Sequence, residues 1–256
     1  MSRAIKQIIY GALYLIVAGA IVYGLSSLNI FSAPSCFDNK QNQKEEGIDC
    51  GGPCVSCAIK SLQPFRSKIE IFGIDGNTSA VITFANPNLD YGADSFSYVL
   101  NFYNQQKEKI FSLTKNSLIY PAEAQKIIIE PNLRVSFLGI SGPPELIIGS
   151  INWKPAADFP EPEVQTRQVK TEVSGNRAMV TGILVNRESF SLARAGIGAL
   201  VYQNLPDGTV RLVGASKTVL QNLQPLEERA FNIPVPLEAV LTRPEIDTVL
   251  STEAVR

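Results

Sequence analysis

Between Lys6 and Asp38 no side chain carries a formal charge, which is the strongest single constraint in this chain. At about 1.5 Å of rise per residue, the apolar run Ile8 to Leu28 makes a helix of roughly 30 Å, the thickness of a bilayer's hydrocarbon core. Residues 8–28 are therefore expected to form a transmembrane helix. Arg3, Lys6 and the N-terminal amine precede it, and no comparable cationic excess follows. The positive-inside rule then makes residues 1–7 a cytoplasmic tail and puts Cys36 onward outside the membrane. Tyr10 and Tyr23 sit near the two ends, where amphipathic rings prefer the interface. A cleaved signal peptide would have a shorter apolar core, and the candidate site at Ser32 and Ala33 is followed by Pro34, which disfavours cleavage. A buried core helix is the other soluble reading. A lipidated Cys36 after Ala33-Pro34-Ser35 would leave three cysteines, an odd remainder outside a cell. Ala20 and Gly24 form a small-xxx-small pair of the kind common by chance in membrane helices.

The remaining totals narrow the function. With 256 residues, 45% hydrophobic and a net charge of -1, the chain is neither disordered nor a basic nucleic-acid binder, so no nucleic-acid partner is expected. Its 16 prolines and 18 glycines favour a turn-rich all-β ectodomain. There is no histidine, which removes the commonest general base, the commonest neutral metal ligand and every Ser-His or Cys-His nucleophile pair.

All four cysteines, Cys36, Cys50, Cys54 and Cys57, fall in one polar stretch within residues 29–61, with thirteen, three and two residues between neighbours. Zinc or two disulfides fit that count. Outside a membrane disulfides persist, and a segment this short and polar needs covalent closure, so two bridges are expected and no metal or other cofactor. The pairing stays open among three patterns. Cys54 with Cys57 closes a ring of the redox-active Cys-x-x-Cys type, whereas crossing patterns such as Cys36 with Cys54 and Cys50 with Cys57 give a firmer knot. The arrangement Cys-x-Asp-x-x-x-Asn-x-x-Glu-x-Gly-x-Asp-Cys-Gly-Gly-x-Cys-x-x-Cys resembles a small cysteine-rich module found beside membrane anchors and between β-domains in secreted and surface proteins of microbes. Within it Asp38, Asn42, Glu45 and Asp49 offer oxygens of the kind calcium uses, but not at EF-hand spacing, and solvated acids are the expectation.

Beyond Cys57 strand-like alternation takes over. Phe96, Tyr98, Leu100 and Phe102 fall on one face, with Ser97, Val99, Asn101 and Tyr103 on the other. Further strands are expected at Lys68 to Ile74, Ser79 to Ala85, Ile110 to Leu118, Gln125 to Glu130 and Leu146 to Trp153, separated by Gly, Pro and Asn turns. The pattern returns at an offset of 99 to 100 residues: Gly76-Asn77 as Gly175-Asn176, Val81 as Val180, Asn86 as Asn186, Phe102-Tyr103 as Val201-Tyr202, and Pro144-Glu145-Leu146 as Pro244-Glu245-Ile246. Two copies of one antiparallel immunoglobulin-like sandwich are expected, over residues 62–155 and 164–256. Residues 156–163 form a proline-rich linker, expected to act as a semi-rigid spacer. In the second copy, Pro206-Asp207-Gly208 reads as a hairpin turn. At Leu100-Asn101-Phe102-Tyr103-Asn104 and Ala199-Leu200-Val201-Tyr202-Gln203 the copies resemble FxLYD-type domains. That resemblance implies small immunoglobulin-like sandwiches on microbial membrane anchors and no particular chemistry.

No nucleophile elbow, P-loop or dinucleotide fingerprint occurs, and serines and lysines show no distinctive spacing. Trp153, Phe96, Tyr98 and Phe102 read as packing, and Arg187, Arg194 and Arg211 as parts of a mixed solvated face. Asn77-Thr78-Ser79 is formally a glycosylation acceptor. The expected protein is a mainly β, single-pass, extracytoplasmic structural or protein-interaction module of the cell membrane. It has no catalytic residues, partners in the cell envelope and an oligomeric state that the sequence leaves open. The alternatives are a thiol-disulfide redox protein using Cys54 and Cys57, or a subunit of an envelope assembly such as a pilus or secretion machine. Protease added outside intact cells should digest residues beyond Cys57 and leave a membrane-held N-terminal fragment; full protection of the ectodomain would reverse the orientation.

Overall fold

The computed structural model describes residues 3–27, 35–238 and 246–256. Leu28, the Ser32 to Pro34 segment and the Pro244-Glu245 landmark lie outside the described residues. Helix α1 spans Arg3–Ser27; residues 3–23 are all exposed, and the helix is long and apolar enough to cross a membrane. A second, four-residue helix, α2, spans Cys57–Lys60. The chain divides into two compact units, Met1–Leu62 and Gln63–Arg256.

Among the described residues the second unit has twelve antiparallel strands. The first six are β1 (Arg66–Ile74), β2 (Asn77–Ala85), β3 (Tyr91–Tyr103), β4 (Lys109–Ile119), β5 (Lys126–Ser136) and β6 (Glu145–Pro155). They build two three-stranded sheets, β1-β2-β5 and β4-β3-β6. The last six are β7 (Val164–Ser174), β8 (Arg177–Asn186), β9 (Leu192–Asn204), β10 (Val210–Leu223), β11 (Glu228–Pro236) and β12 (Ile246–Val255). They build β7-β8-β11 and β10-β9-β12, the same two orders advanced by six strands.

Alternation explains each core. On β3, Phe96, Tyr98, Leu100 and Phe102 are at most 1% exposed and meet Ala80, Ile82 and Phe84 of β2 across the sandwich. Phe65 closes one end, its ring 5.1 Å from Trp153 and 5.3 Å from Phe96. In the other half, Ile197, Ala199 and Val201 of β9 meet Val180 and Leu184 of β8 and Phe231, Ile233 and Val235 of β11.

Two local devices recur in both halves. Asn86, after β2, donates from Nδ2 to Tyr91 O and Tyr120 O at 2.7 and 2.9 Å, while its Oδ1 accepts from Asn88 N. Asn186, the last residue of β8, donates to Phe190 O and Gln224 O at 2.9 and 2.8 Å and accepts from Glu188 N. Both side chains are buried, and each amide ties together two carbonyls at separate positions of the chain. The second device is a turn with proline at its first corner and a residue at positive φ at its second, Pro121-Ala122 (φ 55) and Pro225-Leu226 (φ 59). Glu123 and Glu227 close these turns, accepting from Tyr120 N and Gln224 N through their carboxylates.

The linker does not hold the halves apart. The outer face of β1-β2-β5 packs on the outer face of β10-β9-β12 through Phe72, Val81, Ile129, Leu200, Leu212 and Ala215, all buried. Phe159 of the linker stacks on Tyr120 at 4.6 Å, and Tyr120 Oη donates to Ala254 O at 2.5 Å. Ala156 N donates to Asp90 O, and Glu163 N to Glu188 Oε1. Pro155, Pro160 and Pro162 narrow the conformational menu of this stretch, but burial of the apolar seam decides where the halves go. Truncating Leu200 to Ala should lower unfolding free energy by about 2–4 kcal/mol in denaturant titration, because its methyls fill this seam at 1% exposure.

Candidate functional site

The cysteine segment is locked by two bridges, Cys36–Cys54 and Cys50–Cys57, and no described cysteine is free. Cys54 and Cys57, the redox pair considered from spacing, are thus held by different partners. The reason is the turn between them and Cys50. Gly51 and Gly52 have φ 78 and 58, and a Cβ on Gly52 would lie 2.6 Å from Lys44 O, so only glycine lets the chain double back there.

Of the four oxygen-bearing residues of this segment, Asp38, Glu45 and Asp49 act as internal acceptors, whereas Asn42 donates and its buried Oδ1 has no hydrogen-bond partner among the described residues. Asp49 Oδ1 accepts from Asp38 N and Asn39 N at 3.0 and 3.1 Å, and Glu45 Oε2 from Asn42 N and Asp49 N at 3.1 and 3.2 Å. Asp38 takes Lys40 N and Asn42 Nδ2, and the Asn42 bond holds its carboxyl below the usual carboxylate range. Carboxylates turned toward N–H donors replace a core in a loop with almost none. Glu45 Oε1 also lies 3.1 Å from Cys54 Sγ, but a bridged sulfur has no proton to donate, so that approach is not a hydrogen bond. The grouping of Cys36, Glu45 and Cys54 is likewise no metal set while both sulfurs are bonded to each other.

A second concentration of chemistry lies at the junction of the sandwiches. A cavity of about 230 Å³ is lined by Tyr98, Lys115, Glu130, Arg194, Lys217 and Glu253 among others. Glu130, buried at 3% exposure, accepts from Tyr98 Oη at 2.8 Å and pairs with Lys115. Burial, together with the Glu130 charge, pushes the Tyr98 phenol well above its ordinary range. Lys217 donates to Ile129 O at 2.7 Å across the junction, and partial desolvation holds its amine below the usual lysine value. A second cavity, also about 230 Å³, is lined by Glu123, Lys126, Glu161 and Glu253 with their neighbours. Lys126 is 2% exposed and pairs with Glu253, which also meets Arg194 at 3.2 Å. Desolvation raises the carboxyls of Glu123 and Glu161, with Lys126 opposing.

These junction residues were not singled out by motif, because none has one. The two-residue period of β5 puts Lys126 and Glu130 on the same, core-facing side as Ile128. Trp153 sits in the first core, and Arg187, Arg194 and Arg211 reach Gln165, Glu253 and Glu238 in a mixed surface. Thr78 of the glycosylation triplet is buried and donates to Val135 O. No protein-family model and no curated protein matches the chain.

The raised Glu123 carboxyl makes a pH prediction. Its folded pKa lies above the unfolded value, so the folded state holds the proton more tightly, and the ionised carboxyl lowers stability above the folded pKa. The stability of Glu123→Gln relative to the parent chain should rise as pH goes from below 4.5 to 7, measured by thermal melts across that range. A flat difference would remove the desolvation argument.

Proposed function

We propose that this chain is a single-pass, membrane-anchored extracytoplasmic protein of the cell envelope, with two FxLYD-like sandwiches of common descent that form one structural or protein-interaction module. The recurrence of the strand orders, with Asn86 and Asn186 doing the same work in each half, is the observation that carries this reading. The bridged cysteines support an oxidising compartment, and α1 supports an anchor. The surface, rather than a reaction centre, carries the function. The edge strands β4 and β6 are the favoured contact, since a partner's strand adds to an unpaired edge through main-chain hydrogen bonds.

Site-specific photocrosslinking in intact membranes tests this. A probe replacing the exposed Ile147 on β6 should capture an envelope protein. Capture only from probes in α1 would favour an assembly subunit held through its anchor. Non-reducing mass mapping of the same sample should recover Cys36–Cys54 and Cys50–Cys57, whereas a Cys54–Cys57 bridge or free thiols there would favour the redox reading.

A further inference from the structure

The cysteine segment exposes three large apolar side chains in a loop with no room to hide them: Phe37 at 90%, Ile48 at 56% and Val55 at 58%. The segment's own fastenings tie them together. Cys36, before Phe37, is bridged to Cys54, before Val55, with their Cα atoms 5.6 Å apart. Asp38, after Phe37, donates its N–H to Asp49, after Ile48. Phe37 is therefore tied through its neighbours to the chain beside both, within about 13 Å of Val55 at the Cα atoms. A phenylalanine this exposed gains burial free energy when something apolar meets it.

The chain itself indicates what does. Eight residues separate Ser27, the end of α1, from Cys36, a reach of at most about 30 Å. Lys40 and Lys44, both exposed, lie between Phe37 and Ile48 in the sequence and suit headgroup phosphates, with Glu46 the opposing exposed acid. We propose that the disulfide-locked segment lies on the bilayer, with Phe37, Ile48 and Val55 inserted at the headgroup and acyl boundary as a second, interfacial contact. This rests on the reading of α1 as a membrane anchor. The bridges then have a further consequence: they hold the inserted side chains in a fixed constellation, so that the segment seats as a unit rather than trailing as a tether.

The test uses the full chain reconstituted in phosphatidylcholine and phosphatidylglycerol vesicles. A Phe37→Trp variant is compared with the parent chain, whose Trp153 supplies the fluorescence blank, and mass mapping verifies both bridges. Flotation with the vesicles establishes the anchor separately. The expected result is flotation together with blue-shifted emission from the introduced indole, quenched more by lipids brominated near the headgroup than by lipids brominated at the chain end. Flotation with that emission unquenched overturns the proposal, whether the emission is water-like or is blue-shifted under a protein cover. Failure to float removes the anchor reading and this inference with it. Val55→Trp repeats the measurement at an independent position, so a misfolded Phe37→Trp chain does not end the test.

Discussion

The apolar seam between the two sandwiches is the constraint on which the rest of the β region depends. It gives β2, β5 and β9 two buried faces. On β5, Ile128 enters the first core while Ile129 enters the seam, and on β9, Ala199 and Val201 enter the second core while Leu200 enters the seam. A strand buried on both sides loses its alternation and reads as a continuous apolar run, as Ile127-Ile128-Ile129 does. Once the seam is dry, polar groups at its border have to find partners across it. Lys126 with Glu253, Lys217 with Ile129 O and Tyr120 with Ala254 O are those partners. A buried ion pair of this kind adds little net stability, but it penalises any rotation of one half that would leave Lys126 alone.

The two halves reach the same local solutions through different residues. Tyr120-Pro121-Ala122-Glu123 and Gln224-Pro225-Leu226-Glu227 share only proline and glutamate, yet both put a non-glycine residue at positive φ and close with the same carboxylate-to-backbone bond. Ordinary residues avoid that conformation, so its presence twice, beside the same buried asparagine, reflects a turn dictated by the strands it joins. The offset there is 104 residues and not 99 or 100, because β3 and β9 already begin 101 residues apart and β10 has fourteen residues where β4 has eleven. At a constant offset of 99 or 100 the two turns fall out of register with each other, which hides the likeness.

The unit that holds the cysteines works by a different principle. It has almost no apolar core, so covalent bridges and carboxylates accepting backbone N–H groups hold its shape. Phe37, Ile48 and Val55 are left exposed. Both cysteine pairs are closed, so the shape of this segment rests on local bonds and not on a buried core.

By itself the sequence determined the apolar helix, the all-β character, the cysteine cluster and most strands, because each depends on local periodicity or on a run of like residues. Asn86 and Asn186 were legible as landmarks, though not as amides bridging carbonyls on distant loops. β7 went unread, since most of its residues are exposed and it lacks a clear apolar alternation. Only the tertiary structure decided which cysteines pair, that the linker is pinned between packed sandwiches, and that Lys115, Lys126, Glu130, Lys217 and Glu253 gather at one junction. Those outcomes depend on which outer sheet faces meet, and that choice is made by total buried area and shape across residues far apart in the chain, which no local pattern encodes.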